Sequence, residues 1–263
     1  MIKSVNNLIT IQETLQNNIK ISKQTNIIAV SKTFPIESIF PLINHGHEHY
    51  GENKVQEAIE KWTTIKQDFI NIKLHLIGKL QTNKVKYAIP LFDYIHTLDN
   101  VKLAEKIANE EIKKNKNIKL HLIGKLQTNK VKFALKVFDY IHSLDSEKLA
   151  NKIAAEQIKQ NKQLKIFIQV NIGKEEQKNG IEVERLTKFY ELCKKDFKLD
   201  IIGLMCIPPQ DKNSETYFVE MKKISAEMGL TDLSMGMSDD YLDASKNEAT
   251  FLRIGSKIFG KRD

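Results

Sequence analysis

The sequence predicts an α/β fold: a (β/α)8 TIM barrel of parallel strands that carries an extra duplicated βαβα unit. Three observations lead there. Short apolar runs alternate with helical stretches along the chain, a block of 46 residues occurs twice in tandem, and removal of one copy leaves eight βα units. The reading is of a single domain over residues 1–263, with the repeat at 71–116 and 117–162.

The elements follow in order. Val5, Leu8, Ile9, Ile11, Leu15 and Ile19 form a helical stripe over 4–20, with Ser4 placed to cap it. Ile27-Ile28-Ala29-Val30 is an unbroken apolar run, as expected of a strand covered on both faces. It stops at Lys32, and Pro35 then opens a helix holding Ile36, Ile39, Phe40 and Ile43 and ending by Gly46. A short strand within His47–Asn53 leads to a helix with Val55, Ala58, Ile59 and Trp62. Leu74–Gly78 and Asp93–Leu98 are the next two strands. Residues 71–116 then recur at 117–162 with 35 of 46 positions identical, so a second pair of strands follows. Strands at 166–171, 201–207, 233–238 and 250–255 complete the set, separated by helices over 181–195 and 213–228.

Two copies are too few for a solenoid, so the repeat reads as an in-frame duplication inside an existing barrel. A ten-stranded barrel would need a new shear and would have a wide, poorly filled interior. The expectation is therefore that eight strands close and one βαβα unit is extruded, or is swapped into a neighbouring chain of an otherwise monomeric protein.

Composition narrows the function classes. The net charge of +8 permits nucleic-acid binding, but the positive charge is lysine interspersed with glutamate. Arginine, the usual reader of phosphates and base edges, occurs only at 185, 253 and 262. No apolar run approaches the ~18 residues of a membrane span. The N-terminus lacks the apolar core of a signal peptide, and Cys193 and Cys206 are the only cysteines. A reducing cytoplasm is expected. His45, His47 and His49 alternate as if on one face, but the helix end at Gly46 breaks the alternation and no second ligand cluster accompanies them, so no metal is expected. His96 and His142 read as satisfied core histidines.

Chemistry concentrates at three strand ends. A lysine at the carboxyl end of a buried parallel strand is where α/β folds place reactive groups, and a desolvated amine can attack an aldehyde. Lys32 holds that position. Gly236-Met237-Ser238 and Gly255-Ser256 close the last two strands with glycine and hydroxyl groups, a phosphate-cradle pattern of barrels. In a closed barrel the first and last strands adjoin, so amine and cradle together suit a phosphorylated aldehyde, with pyridoxal 5′-phosphate (PLP) the leading candidate. Arg253, two residues before Gly255, shares its facing and would meet the pyridine nitrogen; a permanent cation there makes the cofactor a poor electron sink.

These segments carry a resemblance. Ala29-Val30-Ser31-Lys32-Thr33, Tyr50-Gly51-Glu52-Asn53, His75-Leu76-Ile77-Gly78-x-Leu80-Gln81-x-Asn83-Lys84, Glu175-x-x-Lys178-x-Gly180, Gly203-Leu204-Met205, Leu233–Ser238 and Arg253-Ile254-Gly255-Ser256-x-Ile258-Phe259-Gly260 stand in family order nearly end to end. The chain resembles the PLP homeostasis protein family (the YggS/PROSC type), relatives of the alanine racemase N-terminal barrel. The resemblance implies Lys32 as the Schiff-base lysine, Met237, Ser238, Gly255 and Ser256 at the phosphate, Arg253 towards the ring and Asn53 near the phenolic oxygen. Ser256 stands where threonine is common and keeps the hydroxyl. The repeat leaves open whether His75 or His121, and Asn83 or Asn129, fills the family position.

The resemblance implies a carrier: a protein that holds PLP, delivers it to PLP-dependent apoenzymes and limits its reaction with cellular amines. The alternative is an amino-acid racemase. That chemistry needs two bases on opposite faces of the cofactor, and in the related racemases the second comes from a C-terminal β domain that does not follow Asp263 here. The expectation is accordingly no enzyme, no catalytic residue and no membrane or nucleic-acid partner.

Overall fold

A computed structural model describes residues 3–18, 26–96, 103, 105–107, 109–110, 119–175, 179–209, 213–236, 240–254 and 256–259. It is a closed barrel of ten strands. They are β1 Asn26–Val30, β2 His49–Glu52, β3 Lys73–Leu76, β4 Tyr94–Ile95, β5 Lys119–Leu122, β6 Tyr140–Leu144, β7 Lys165–Gln169, β8 Asp200–Met205, β9 Asp232–Ser234 and β10 Phe251–Ile254. Each strand pairs in parallel with the next in sequence, and β10 closes on β1 through the pairs Asn26–Phe251, Ile27–Leu252, Ile28–Arg253 and Ala29–Ile254.

The barrel class matches the sequence reading, but the expected extrusion is corrected. Both copies stand in the wall: β3 and β4 come from the first, β5 and β6 from the second. The joint is the two-residue β4, which pairs with β3 through His75–Tyr94 and Leu76–Ile95 and with β5 through Tyr94–Lys119 and Ile95–Leu120. A parallel strand left without a neighbour exposes a row of unpaired backbone groups, and each copy would bring two such strands. Insertion into the wall pairs them all.

The interior does not stay empty because flat rings fill it. Tyr94 stacks on His75 (4.3 Å, 3°), Tyr140 on His121 (4.2 Å, 3°) and Phe167 on His142 (4.3 Å, 13°). Alternation along the strands puts these residues on one face and Leu74, Leu76, Leu120, Leu122, Ile141 and Ile166 on the other, where they are buried with the surrounding helices. Each such aliphatic side chain contributes about 1.5–3 kcal/mol relative to exposure.

Helices of the described residues cover that outer face, and seven are named here. They are α1 Lys3–Asn18, α2 Ile36–Asn44, α3 Val55–Trp62, α5 Val85–Leu91, α6 Val131–Val137 and α7 Glu147–Gln160, with the single turn α4 Ile65–Asp68 between α3 and β3. Pro35 caps α2 from an extended conformation, one position earlier than the usual proline site. The helix expected over 181–195 is α-helical only over Val183–Glu191 and continues as a π turn, Leu192–Asp196. The repeat is visible in local structure. The 3-10 turns Thr82–Lys84 and Thr128–Lys130 precede α5 and α6 in turn, and Asp93 and Asp139 each accept the first strand N–H of their own copy, from Leu74 (2.8 Å) and Leu120 (3.0 Å).

Candidate functional site at the barrel mouth

The mouth is built from the turns after β1, β2 and β3. Ser31–Phe34 is a tight turn closed by Phe34 N–H donating to the Ser31 carbonyl (3.2 Å). Its third residue, Thr33, has φ +68°, as type II turns require and as β-branched residues seldom adopt. Lys32 occupies the position before it and is half-buried. Lys32 lies two residues past the Val30–Gly51 pair on its side of the ladder, and Asn53 lies two residues past it on the other. Asn53 Oδ1 is buried and has no hydrogen-bond partner. A buried amide with unused capacity is costly unless something polar meets it.

Gly78 sets the height of the next turn. A Cβ there would lie 2.1 Å from the Asn53 carbonyl oxygen, so only glycine lets the β3 turn close over the β2 turn. Beside Asn53 an open groove is lined by Lys54, Gln56, Lys79, Gln81 and Lys84.

Behind Lys32, on the helix side of the wall, is a network the sequence reading did not identify. Glu52, wholly buried, accepts Ser31 Oγ (2.7 Å) and Trp62 Nε1 (3.1 Å) and pairs with Lys61 (3.3 Å). Lys61 also donates to the Ser31 carbonyl (3.2 Å) and to Glu57 (2.5 Å), and Glu57 accepts the Thr33 N–H (2.6 Å). Burial raises the Glu52 pKa against the opposing pull of Lys61, Ser31 and Trp62. Burial acts the same way on Glu57, but the bonds from Lys61 and Thr33 outweigh it and hold that carboxyl low. The signals were present: Glu52 lies in the Tyr-Gly-Glu-Asn motif on the opposite face from Asn53, and Glu57 and Lys61 are one helical turn apart.

Inside the barrel runs a row of histidines. His49 Nδ1 meets His75 Nε2 (2.9 Å), His75 Nδ1 meets His96 Nε2 (3.0 Å), and His121 Nδ1 meets His142 Nε2 (3.1 Å). His142 Nδ1 meets Ser234 Oγ (3.0 Å). Since β6 and β9 are not neighbours in the wall, that last bond crosses the interior. His142 is thus bonded through both ring nitrogens, as expected of a satisfied core histidine, and His96 through Nε2. Burial lowers the His49 pKa, and burial also takes that of His47 down to about 4. Among the described residues no group of three or more His, Cys, Asp or Glu is placed to hold a metal ion. Cys193 and Cys206 are buried, which pushes each thiol up to about 12.

Of the other expected site residues, Met237, Ser238 and Gly255 lie outside the described residues. The backbone of Arg253 pairs with Ile28, two residues below Val30 and four below Lys32, and Ser256 is the first residue of a final helical turn, Ser256–Phe259. The first and last strands do adjoin, as the pairing of an amine with a cradle requires.

Fold and mouth together define a barrel of the alanine racemase N-terminal domain family, whose model matches residues 122–263, just over half of the chain. More specific relatives cover nearly all of it. The pyridoxal phosphate homeostasis protein of Aquifex aeolicus is 33% identical over 245 residues, 90% of this chain and 86% of the relative. That of Haemophilus influenzae is 30% identical over 258 residues, 94% and 87%. The chain belongs to the pyridoxal phosphate homeostasis protein family. Among solved structures, PipY of Synechococcus elongatus PCC7942 with PLP bound is 26% identical, with a TM-score of 0.52 over 98% of this chain and 100% of that one.

Proposed function

We propose that this chain binds PLP at the barrel mouth, with Lys32 as the covalent tether, and serves PLP homeostasis as a store and donor. The observation that carries the site is that Lys32, on its strained turn, and the buried, unpartnered Asn53 Oδ1 follow the ends of two paired strands, β1 and β2. Such an amide fits a ligand that presents a polar ring substituent next to the group reacting with the lysine. When bound, PLP supplies an aldehyde that reacts reversibly with a neutral amine, and an anionic phosphate.

The chain's own residues then divide the work. Lys32 presents its amine from the mouth, and Asn53 fixes ring orientation from the adjacent strand end. Met237, Ser238, Gly255 and Ser256 are the proposed phosphate ligands, and Arg253 the proposed partner of the ring nitrogen. His75 rather than His121 takes the family position, because β3 is the strand that neighbours β2 and Asn53. Holding the cofactor without turning over a substrate is the reading that agrees with relatives named for homeostasis. Among the described residues no helix is long and apolar enough to cross a membrane, and the cytoplasm, where PLP-dependent apoenzymes are synthesised, is the proposed location.

Titration with PLP tests this. Wild-type protein should gain visible absorbance and, after borohydride, a stable mass increase on the peptide holding Lys32. Lys32→Ala should show neither, while retaining the wild-type circular dichroism spectrum. Equal labelling of Lys32→Ala would overturn the assignment, and sustained interconversion of L- and D-alanine by the wild type would overturn the carrier reading.

A further inference from the structure

Ser31 and Thr33, the two residues flanking Lys32, are both held by charged side chains of β2 and α3. Glu52 takes the Ser31 hydroxyl (2.7 Å), Lys61 takes the Ser31 carbonyl (3.2 Å), and Glu57 takes the Thr33 N–H (2.6 Å). Lys61 joins the two carboxylates at 3.3 and 2.5 Å, and Trp62 closes the far side by donating to Glu52. The cluster is well shielded: side-chain exposure is 0% at Glu52, 11% at Lys61 and 22% at Glu57. All three come from β2 and α3. Meanwhile Thr33 sits in a left-handed conformation that a threonine leaves unless it is held.

We infer that Glu52, Glu57 and Lys61 form a clamp that positions the Lys32 turn for cofactor capture. These are positioning residues: their bonds go to Ser31 and Thr33 and not to the Lys32 amine, so they act through the residues on both sides of Lys32. An ion network of this size for mere stability would be a poor investment, since a buried pair is often replaceable by apolar groups at no loss. Its geometric yield is specific. It fixes the direction in which the Lys32 side chain leaves the turn, and misplacing a reacting group by about 1 Å can cost about a hundredfold in rate. The inference rests on Lys32 being the tether.

Two variants and two measurements test it. Glu57→Gln removes the charge at the partly exposed end, and Lys61→Met keeps the stem of the central residue; Lys61→Arg serves as the conservative control. In cofactor-free protein, amide hydrogen exchange should rise about tenfold or more at Thr33 and Phe34 in both test variants, and should stay unchanged in β7 and β8. On mixing with PLP, capture by Lys32 should slow about tenfold or more and its pH profile should shift, while thermal unfolding moves by only a few degrees. Lys61→Arg should restore most of the rate. Wild-type exchange and capture rates in Glu57→Gln and Lys61→Met would overturn the clamp, as would slowing that merely tracks global unfolding. A wild-type protein that takes up no PLP would instead overturn the function proposed above, and the exchange measurement would still decide whether the clamp orders the turn.

Discussion

The two copies of the repeat are nearly the same sequence in different surroundings, and the structure treats them differently. In the first, the turn after the strand closes on β2: a Cβ on Gly78 would strike the Asn53 carbonyl. In the second, a Cβ on Gly124 would meet nothing within 4 Å, and the same turn reaches forward instead, with Lys125 donating to Asn179 (2.7 Å). Their second strands differ as well. Tyr94–Ile95 is two residues long and Tyr140–Leu144 is five. One copy therefore serves the upstream half of the mouth and the other the downstream half. Identical residues acquire different jobs from their neighbours, not from their own propensities.

The largest test of that difference is a matched pair of glycine substitutions. Gly78→Ala should cost about 3 kcal/mol or more, because backbone cannot yield as a side chain can, and should weaken PLP uptake by shifting Asn53. Gly124→Ala should stay within about 0.5 kcal/mol. Urea unfolding of both variants reads the contrast, and equal losses would break it.

The histidine row gives the next test. His142→Leu strands His121 Nδ1 and Ser234 Oγ in the interior and should cost about 2–3 kcal/mol, whereas His49→Leu, at the half-exposed end, breaks one contact and should cost about 1 kcal/mol. A reversed order in thermal unfolding would show that the row is not anchored through Ser234.

Acid should act on the upstream side. The His47 pKa falls from 6.5 to about 4 on folding, through burial first, and that of His49 falls too. Above pH 6.5 both states are neutral there. Between 6.5 and about 4 the unfolded chain binds a proton that the folded one refuses, so stability drops as pH falls through this window and levels off below it. His47→Gln should flatten the acid limb of a stability–pH curve, and an unchanged limb would remove His47 as its source. A last effect is local to the second copy: Ser143→Ala loses one bond to the Gly124 carbonyl (2.8 Å) and should cost about 1 kcal/mol in urea unfolding.

Much of this was legible beforehand, for physical reasons. Alternating apolar runs announce strands whatever closes around them, so every strand fell within a few residues of its expected place. Lys32 and Asn53 were singled out by their places, two residues past the end of β1 and directly after β2. Strand number in the closed wall was not, since it depends on what fills the interior. That filling comes from Tyr94, His96, Tyr140 and His142, which alternate on one face but which the sequence reading took singly. The clamp was legible only in part: Glu57 and Lys61 stand one helical turn apart, but the bond from Lys61 to the Ser31 carbonyl, thirty positions away, leaves no periodic trace.

The histidine row has a consequence of its own. Each nitrogen-to-nitrogen contact requires one donor and one acceptor, so within His49–His75–His96 the neutral rings must all carry the proton on Nδ1 or all on Nε2. His121 and His142 obey the same rule, with the Ser234 hydroxyl able to serve either sense. Where the copies meet, the rings of His96 and His121 lie 5.4 Å apart between centroids, with their planes inclined by 19°. Each hydrogen-bonded segment is a small bistable array, and nitrogen-15 chemical shifts of the five rings would read its tautomeric sense.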